Sequence, residues 1–504
     1  MARKKSKLTI KEFIFIHYIK IILLCLFALA IFLRTYGLFE NLFFGPEQGI
    51  DFLVIKDIAV NHNPVLVGAK TDIAGVFHGP IYYYLSIIPF LLSGGDPLFV
   101  AQFLIVVNCL TVFIIYRLAL ELFNKRVGLI ASLLFTVSFG AIAYSRWLSS
   151  HPITIPLSCL FFLGLVFFIK GKKKYLFLTT VTYGLVGQAE FLNYLFFGIM
   201  LGLVIIVFRK EFFKQKKTFL LLNLAILLIV GFSNYVLFEL RNNFIMSKNI
   251  YALALTPGYH LPILRSIELT LTIFERSVGR IFMPLAERLG FAIPLLGFFL
   301  VLRSNKSIAK KILVIWLLTP VFLLIAIRHD VLEQFFVYAI APSILFAAYV
   351  WDRFITWRRI IGVPVFACAV LFYFSVWIVN IPGDNNMFYQ STSPDLKYSD
   401  ELKVIDTIYK QMDGKDFSFQ AYTIPYWSQQ AWEYLFWQHG KGKYGYEPVS
   451  ANGKVLYVIV QDDPSSKRFQ SDWLKYTVPK WGTPEDSFRQ GIFTVLVLSV
   501  PWIK

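Results

Sequence analysis

Eleven apolar stretches, at about 14–34, 97–121, 127–144, 153–170, 175–192, 193–209, 218–239, 291–303, 312–327, 335–351 and 360–380, dominate this 504-residue sequence. A run of about 20 mostly apolar residues is long enough to cross a bilayer as a helix. In hydrocarbon a helix is the simplest element that satisfies its own backbone hydrogen bonds. The repetition therefore predicts an all-α polytopic membrane protein. Composition agrees. Charged residues are only 16% of the chain, against roughly 25% in soluble domains.

The charges between the runs set the direction of threading. Basic clusters occur at Arg3/Lys4/Lys5/Lys7, Lys125/Arg126, Lys170/Lys172/Lys173/Lys174, Arg209/Lys210/Lys214/Lys216/Lys217, Arg303/Lys306/Lys310/Lys311 and Arg353/Arg358/Arg359. Such clusters stay on the cytoplasmic side. One further apolar piece, Pro80–Leu92, is short and contains Pro89. If it crossed, every later cluster would fall outside. If it lies in the interface, all of them fall inside. The second solution predicts eleven spans, a cytoplasmic N-terminus and an extracytoplasmic C-terminus, in the cell membrane. The basic start followed by apolar Ile21 to Phe32 lacks a small-residue cleavage site, so an uncleaved first span is expected.

The net charge of +18 is thus the charge of membrane-facing loops, and a nucleic-acid role is not expected. Cys25, Cys109, Cys159 and Cys368 each fall within an apolar run, which leaves no disulfide framework and no metal-type spacing.

Two domains follow: a membrane domain, 1–380, and an extracytoplasmic tail, 381–504. The tail begins after Ile381-Pro382-Gly383-Asp384. It reads as a small α/β domain with a helix at Asp400–Met412 and strands at Phe417–Tyr422, Val455–Val460 and Ile492–Val500. External loops are expected at 35–96 and at roughly 240–290, the latter with Pro257-Gly258.

The polar residues with chemical potential gather at the external ends. Loop 35–96 carries Phe44-Gly45-Pro46-Glu47-Gln48-Gly49-Ile50-Asp51. A helix starting there puts Glu47 and Asp51 on one face, where a carboxylate can act as general base; a solvated capping acid is the plain alternative. His78 stands before Gly79-Pro80-Ile81-Tyr82-Tyr83-Tyr84, as a phosphate contact or as an interfacial histidine beside tyrosine anchors. The turn Ser145–Pro152 holds Arg146 and His151, suited to a phosphate leaving group unless Arg146 merely snorkels. Gln188, Glu190 and Asn193 mark the next external turn, and Glu190 in such apolar surroundings requires a polar cavity. Arg328-His329-Asp330, then Glu333, Gln334 and Tyr338, form the densest late cluster.

The chain resembles GT-C fold membrane glycosyltransferases of the protein O-mannosyltransferase and aminoarabinose-transferase type (glycosyltransferase family 39-like). The resemblance rests on Pro46-Glu47-Gln48-Gly49-Ile50-Asp51, His78-Gly79-Pro80-Ile81-Tyr82-Tyr83-Tyr84, Ser145-Arg146, and Tyr338 with Pro342. It implies an enzyme, a hexosyl or pentosyl transferase that passes a sugar from a polyprenyl-phosphate donor to a protein, lipid or glycan acceptor. Transfer would be inverting, on the extracytoplasmic face. Glu47 would stand for the family's loop aspartate as base; His78, Arg146, His151 and His329 would line the donor-phosphate region, with Glu190, Arg328 and Tyr338 as further substrate contacts. Two departures stand out. The usual Asp-Glu pair is Pro46-Glu47, so the base is Glu47 or shifts to Asp51, and Gln102 replaces an arginine often found early in the second span. No cofactor is expected to be required; a divalent ion could sit among Glu47, Asp51 and His78, although their spacing is not a metal signature. A second hypothesis is a transporter or flippase for lipid-linked saccharides, against which stand the absence of half-to-half symmetry and the acids gathered at one face. A third is an assembly protein whose tail binds a partner.

Overall fold

The computed structural model describes residues 10–255, 261–380, 395–424, 428–449 and 455–499. The N-terminal basic cluster, Pro257-Gly258 and the boundary Ile381–Asp384 lie outside them. A helix or helix pair occupies each of the eleven expected spans. Among the described residues, seven helices are long and apolar enough to cross a membrane by length and composition, or eight if the bent pair Lys125–Val137 and Phe139–Ser145 is one span. Glu287–Leu302, with 16 residues, is longer than the expected 291–303 and begins before it, while Tyr175–Ala189 and Leu192–Val207, with 15 and 16, are shorter than the expected spans. Their apolar sequence runs on through turns that end the helix early. The count of eleven therefore stands as an expectation, while a multi-pass helical membrane architecture is what the structure shows.

The bend in the third span is 58°. It falls at Ser138, whose hydroxyl donates to Ile281 O at 2.9 Å and accepts from Ala141 N–H at 3.4 Å. A side chain inserted into the backbone ladder is a recognised cause of a kink. Arg34, fully buried at the end of the first helix, Ile10–Thr35, knits three spans. Its guanidinium donates to Asn108 Oδ1 at 3.3 Å, Phe135 O at 3.1 Å and Thr136 O at 3.2 Å.

Ile81–Ser93 is a helix of 13 residues, too short to span. The tail forms a four-stranded sheet in the order β1-β2-β4-β3, with β1 Phe417–Tyr422, β2 Val455–Gln461, β3 Pro484–Gln490 and β4 Phe493–Ser499. β1 and β2 are parallel; the other neighbours are antiparallel. The alternation of strand side chains divides the sheet. Phe417, Ala421, Tyr457, Ile459, Phe493 and Val495 join the main core, while Tyr422, Leu456, Val458, Val460 and Leu498 pack with Val478 and Trp473 on the other side.

That main core runs without a break from the membrane helices into the tail. The loop helix Pro46–Asn61 lies against Gln430–Leu435 so closely that a Cβ on Gly49 would sit 2.2 Å from Ala431 N. Tyr434 packs edge-on against Phe52, at 5.2 Å between ring centroids, and its hydroxyl donates to Gly95 O. Tyr398 N–H donates to Leu42 O at 2.8 Å, and its hydroxyl to Asp96 Oδ1 at 3.1 Å. The tail thus grips the first loop through aromatic side chains.

Candidate active site

The expected helix over the acidic motif begins at Pro46, whose missing N–H costs nothing in the first turn. Gly45 N–H donates to Gln48 Oε1 at 3.1 Å, closing that turn. Glu47 and Asp51 lie four residues apart on this helix, but their environments differ. Glu47 is exposed. Asp51 is buried and accepts from the Tyr83 hydroxyl at 2.7 Å. Burial pushes the Asp51 carboxyl up to about 7; the Tyr83 bond opposes this shift and the charge on Glu47 adds to it.

Gln48 Nε2 donates to Leu148 O at 3.4 Å. This contact sets the first turn of the loop helix against the Ser145–Pro152 turn. There His151 stacks on Trp147, with centroids 4.4 Å apart and planes 5° from parallel. Its Nδ1 shares a 2.8 Å hydrogen bond with Ser149 Oγ. Its Nε2 is buried and has no protein partner among the described residues. An imidazole held on three sides with one nitrogen uncommitted is suited to an anionic oxygen.

His78 and Glu190 are brought together. His78 Nδ1 accepts from Phe191 N–H at 3.1 Å and lies 3.5 Å from Glu190 Oε1. Gly79 N–H donates to Gln188 O at 2.9 Å, fixing the two turns to each other. Burial lowers His78 to about 4, partly offset by Asp72. The ring is therefore neutral at pH 7, its Nδ1 is an acceptor, and the approach to Glu190 is not an ion pair at that pH.

The other nominated residues have different surroundings. The Arg146 guanidinium donates to Arg34 O, Tyr36 O and Gly37 O at 3.2, 2.8 and 3.2 Å, and stands over the Trp377 ring at 5.4 Å. It caps the carbonyl end of the first helix. Only its buried Nε lacks a partner among the described residues. Arg328 adopts φ 59°; its Nε donates to Leu261 O and its own carbonyl accepts from Leu261 N–H, both at 2.7 Å. His329 follows on that turn, half-buried. Tyr338 is buried against Phe196, with its hydroxyl unpartnered among the described residues.

Sequence reading missed an ion-pair network. Arg280 binds Glu333 Oε2 at 2.8 Å and Glu287 Oε1 at 2.5 Å; Arg276 lies 3.0 Å from Glu333 Oε1. The i,i+4 spacing of Arg276 and Arg280 was visible, but their partners lie on other helices. Tyr144 O–H donates to Glu333 O at 3.1 Å and joins this network to the third span. Tyr83 was read only as an interfacial anchor. No three His, Cys, Asp or Glu side chains converge to hold a metal ion among the described residues.

These helices, with an acidic first loop gripped by a C-terminal α/β unit, define a membrane protein of the GT-C fold. Residues 77–235, which contain His78, Arg146, His151 and Glu190, match the family model described as dolichyl-phosphate-mannose-protein mannosyltransferase. The structure is similar to ArnT from Cupriavidus metallidurans bound to undecaprenyl phosphate, at TM-score 0.63 and 10% identity, over 95% of this chain and 99% of that one. It is also similar to the oligosaccharyltransferase AglB from Archaeoglobus fulgidus in complex with an inhibitory peptide and a dolichol-phosphate, at TM-score 0.54 and 12% identity, over 95% of this chain and 75% of that one. No curated protein sequence matches.

Proposed function

We propose that this protein transfers a hexosyl or pentosyl unit from a polyprenyl-phosphate donor to an acceptor on the extracytoplasmic face of the cell membrane, with inversion. The observation that carries this reading is the meeting of three chain segments at one end of the bundle: the first turn of the loop helix, the Phe77–Tyr84 segment and the turn bearing His151. A protein, lipid or glycan hydroxyl is the acceptor class. The similarity to proteins bound to undecaprenyl phosphate and dolichol-phosphate supports the donor class.

Glu47 is the base in this proposal, because it is exposed where an acceptor can approach. It takes the acceptor proton as the oxygen attacks the anomeric carbon, and the polyprenyl phosphate leaves with the electrons of the broken C–O bond. Asp51, tied to Tyr83, fixes the loop helix on Ile81–Ser93. In this proposal His151 Nε2 and Arg146 Nε, buried and without a partner among the described residues, donate to the leaving phosphate. In this proposal transfer needs no metal, a reading supported by the engagement of Asp51 Oδ1 with the Tyr83 hydroxyl at 2.7 Å.

The test is sugar transfer by purified protein from a panel of radiolabelled polyprenyl-phosphate sugars. Glu47→Gln is expected to lose at least about 100-fold in transfer with donor binding kept. Equal transfer by wild type and Glu47→Gln would remove the base from Glu47. Loss in Asp51→Asn alone would move it to Asp51. Transfer abolished by a chelator and restored by a divalent ion would overturn the metal-free reading.

A further inference from the structure

We infer that the opposite, basic end of the bundle holds a binding site for an anionic phospholipid, separate from the proposed transfer site. A cavity among the described residues has a volume of about 950 Å³. It lies between Glu287–Leu302, Ile340–Trp357 and Arg359–Asn380, reaching the C-terminal ends of the first two. Leu296, Leu300, Trp351 and Val365 form its apolar wall, and Arg303, Ser304, Arg353 and Thr356 form one end.

The helices explain why the space exists. Gly297 allows Glu287–Leu302 to approach Ile340–Trp357 at backbone distance, since a Cβ there would sit 2.3 Å from Phe346 O. Arg359–Asn380 packs on the same central helix through Phe366 against Trp351, with ring centroids 5.0 Å apart. Two helices thus share one neighbour, and the groove between them is left for acyl chains.

Charge identifies the occupant. Among the described residues, neither Arg303 nor Arg353 has a carboxylate within ion-pair distance. Arg353 Nε donates to the Tyr349 hydroxyl at 3.1 Å, a neutral partner. Asp352, next in sequence, is engaged by Arg126 at 3.2 Å and turned away from the cavity. Arg358 and Arg359 lie just beyond. Basic pockets between membrane helices select anionic headgroups. Trp351 adds an indole N–H that is buried and unpartnered among the described residues. An apolar trough ending in two uncompensated guanidinium groups fits a phosphodiester headgroup carrying acyl chains.

Native mass spectrometry of the full-length protein tests this, with phosphatidylglycerol and phosphatidylcholine of identical acyl chains as probes. One phosphatidylglycerol is expected to bind about tenfold more tightly than phosphatidylcholine. Arg303→Gln with Arg353→Gln should erase that preference, whereas the charge-matched Arg209→Gln with Lys210→Gln should keep it. Val365→Trp, which fills the trough without changing charge, should remove the bound lipid. Arg303 is exposed, so Arg303→Gln alone carries the test if the double variant fails to fold. Three outcomes would overturn the inference: no preference in the wild type, a preference that survives the loss of Arg303 and Arg353, or displacement of phosphatidylglycerol by polyprenyl phosphate. The last would assign the trough to the carrier lipid.

Discussion

Two helix-end turns, Ser145–Pro152 and Arg328–Glu333, look alike in sequence and behave differently in the fold. Ser145–Pro152 and Arg328–Glu333 each combine arginine, histidine and hydroxyl or acidic neighbours at a helix end. In the first, the loop helix arrives through Gln48, and His151 keeps a buried nitrogen uncommitted. In the second, Arg328 is bonded in both directions to Leu261, and Glu333 is locked by Arg276 and Arg280. Polar density marks both ends, but partner geometry separates a turn with an uncommitted nitrogen from a fastening one.

That contrast can be broken experimentally, beginning with the fastening network. Arg280→Ala leaves Glu333 and Glu287 without their closest cation, and removing one partner of a largely buried pair costs about 3 kcal/mol. Thermal inactivation in detergent should come at clearly lower temperature, while transfer per folded molecule stays within a few-fold. A loss confined to kcat with unchanged thermal stability would make that turn catalytic. At the Ser145–Pro152 turn, proposed to face the donor phosphate, His151→Phe keeps a ring to stack on Trp147 but removes both nitrogens. The KM for donor should rise about tenfold, the effect of losing one good phosphate contact. An unchanged KM would reduce His151 to a packing residue.

A smaller effect concerns Asp51. Its folded-state value of about 7 lies above the ordinary 3.8 of the free side chain. The fold therefore favours the protonated form, so the contribution to stability is full below about pH 4 and is lost as pH rises through 7. Thermal stability should fall between pH 5 and pH 8 in the wild type, and Asp51→Asn should flatten that slope. A steeper slope in the variant would refute the burial argument. Smallest of all, Arg328→Gln should change transfer less than about twofold, because its bonds hold a loop segment and reach no proposed substrate; a tenfold loss would make the two turns functionally equal.

Much of this was legible in the chain. Apolar runs and basic clusters implied the helices, the non-spanning segment 80–92 and the polar end. The helix start at Pro46 and three tail strands followed from Gly-Pro punctuation and period-2 alternation. Strand β3, Pro484–Gln490, escaped because a polar, exposed edge strand has no apolar signal. Gln430–Leu435, the helix that grips Gly49, is too short to show periodicity.

Sequence by itself determined which residues are costly to place in or beside a bilayer, because that cost depends on residue type and run length alone. It therefore determined the membrane architecture and the shortlist of polar side chains. Tertiary structure decided which of those side chains are already satisfied. Arg146 caps a helix, Arg328 ties down a loop, Asp51 leans on Tyr83 and His78 meets Glu190. Each of these partners lies on another segment of the chain, and hydrogen bonds act over about 3 Å. Only packing brings distant segments within that distance.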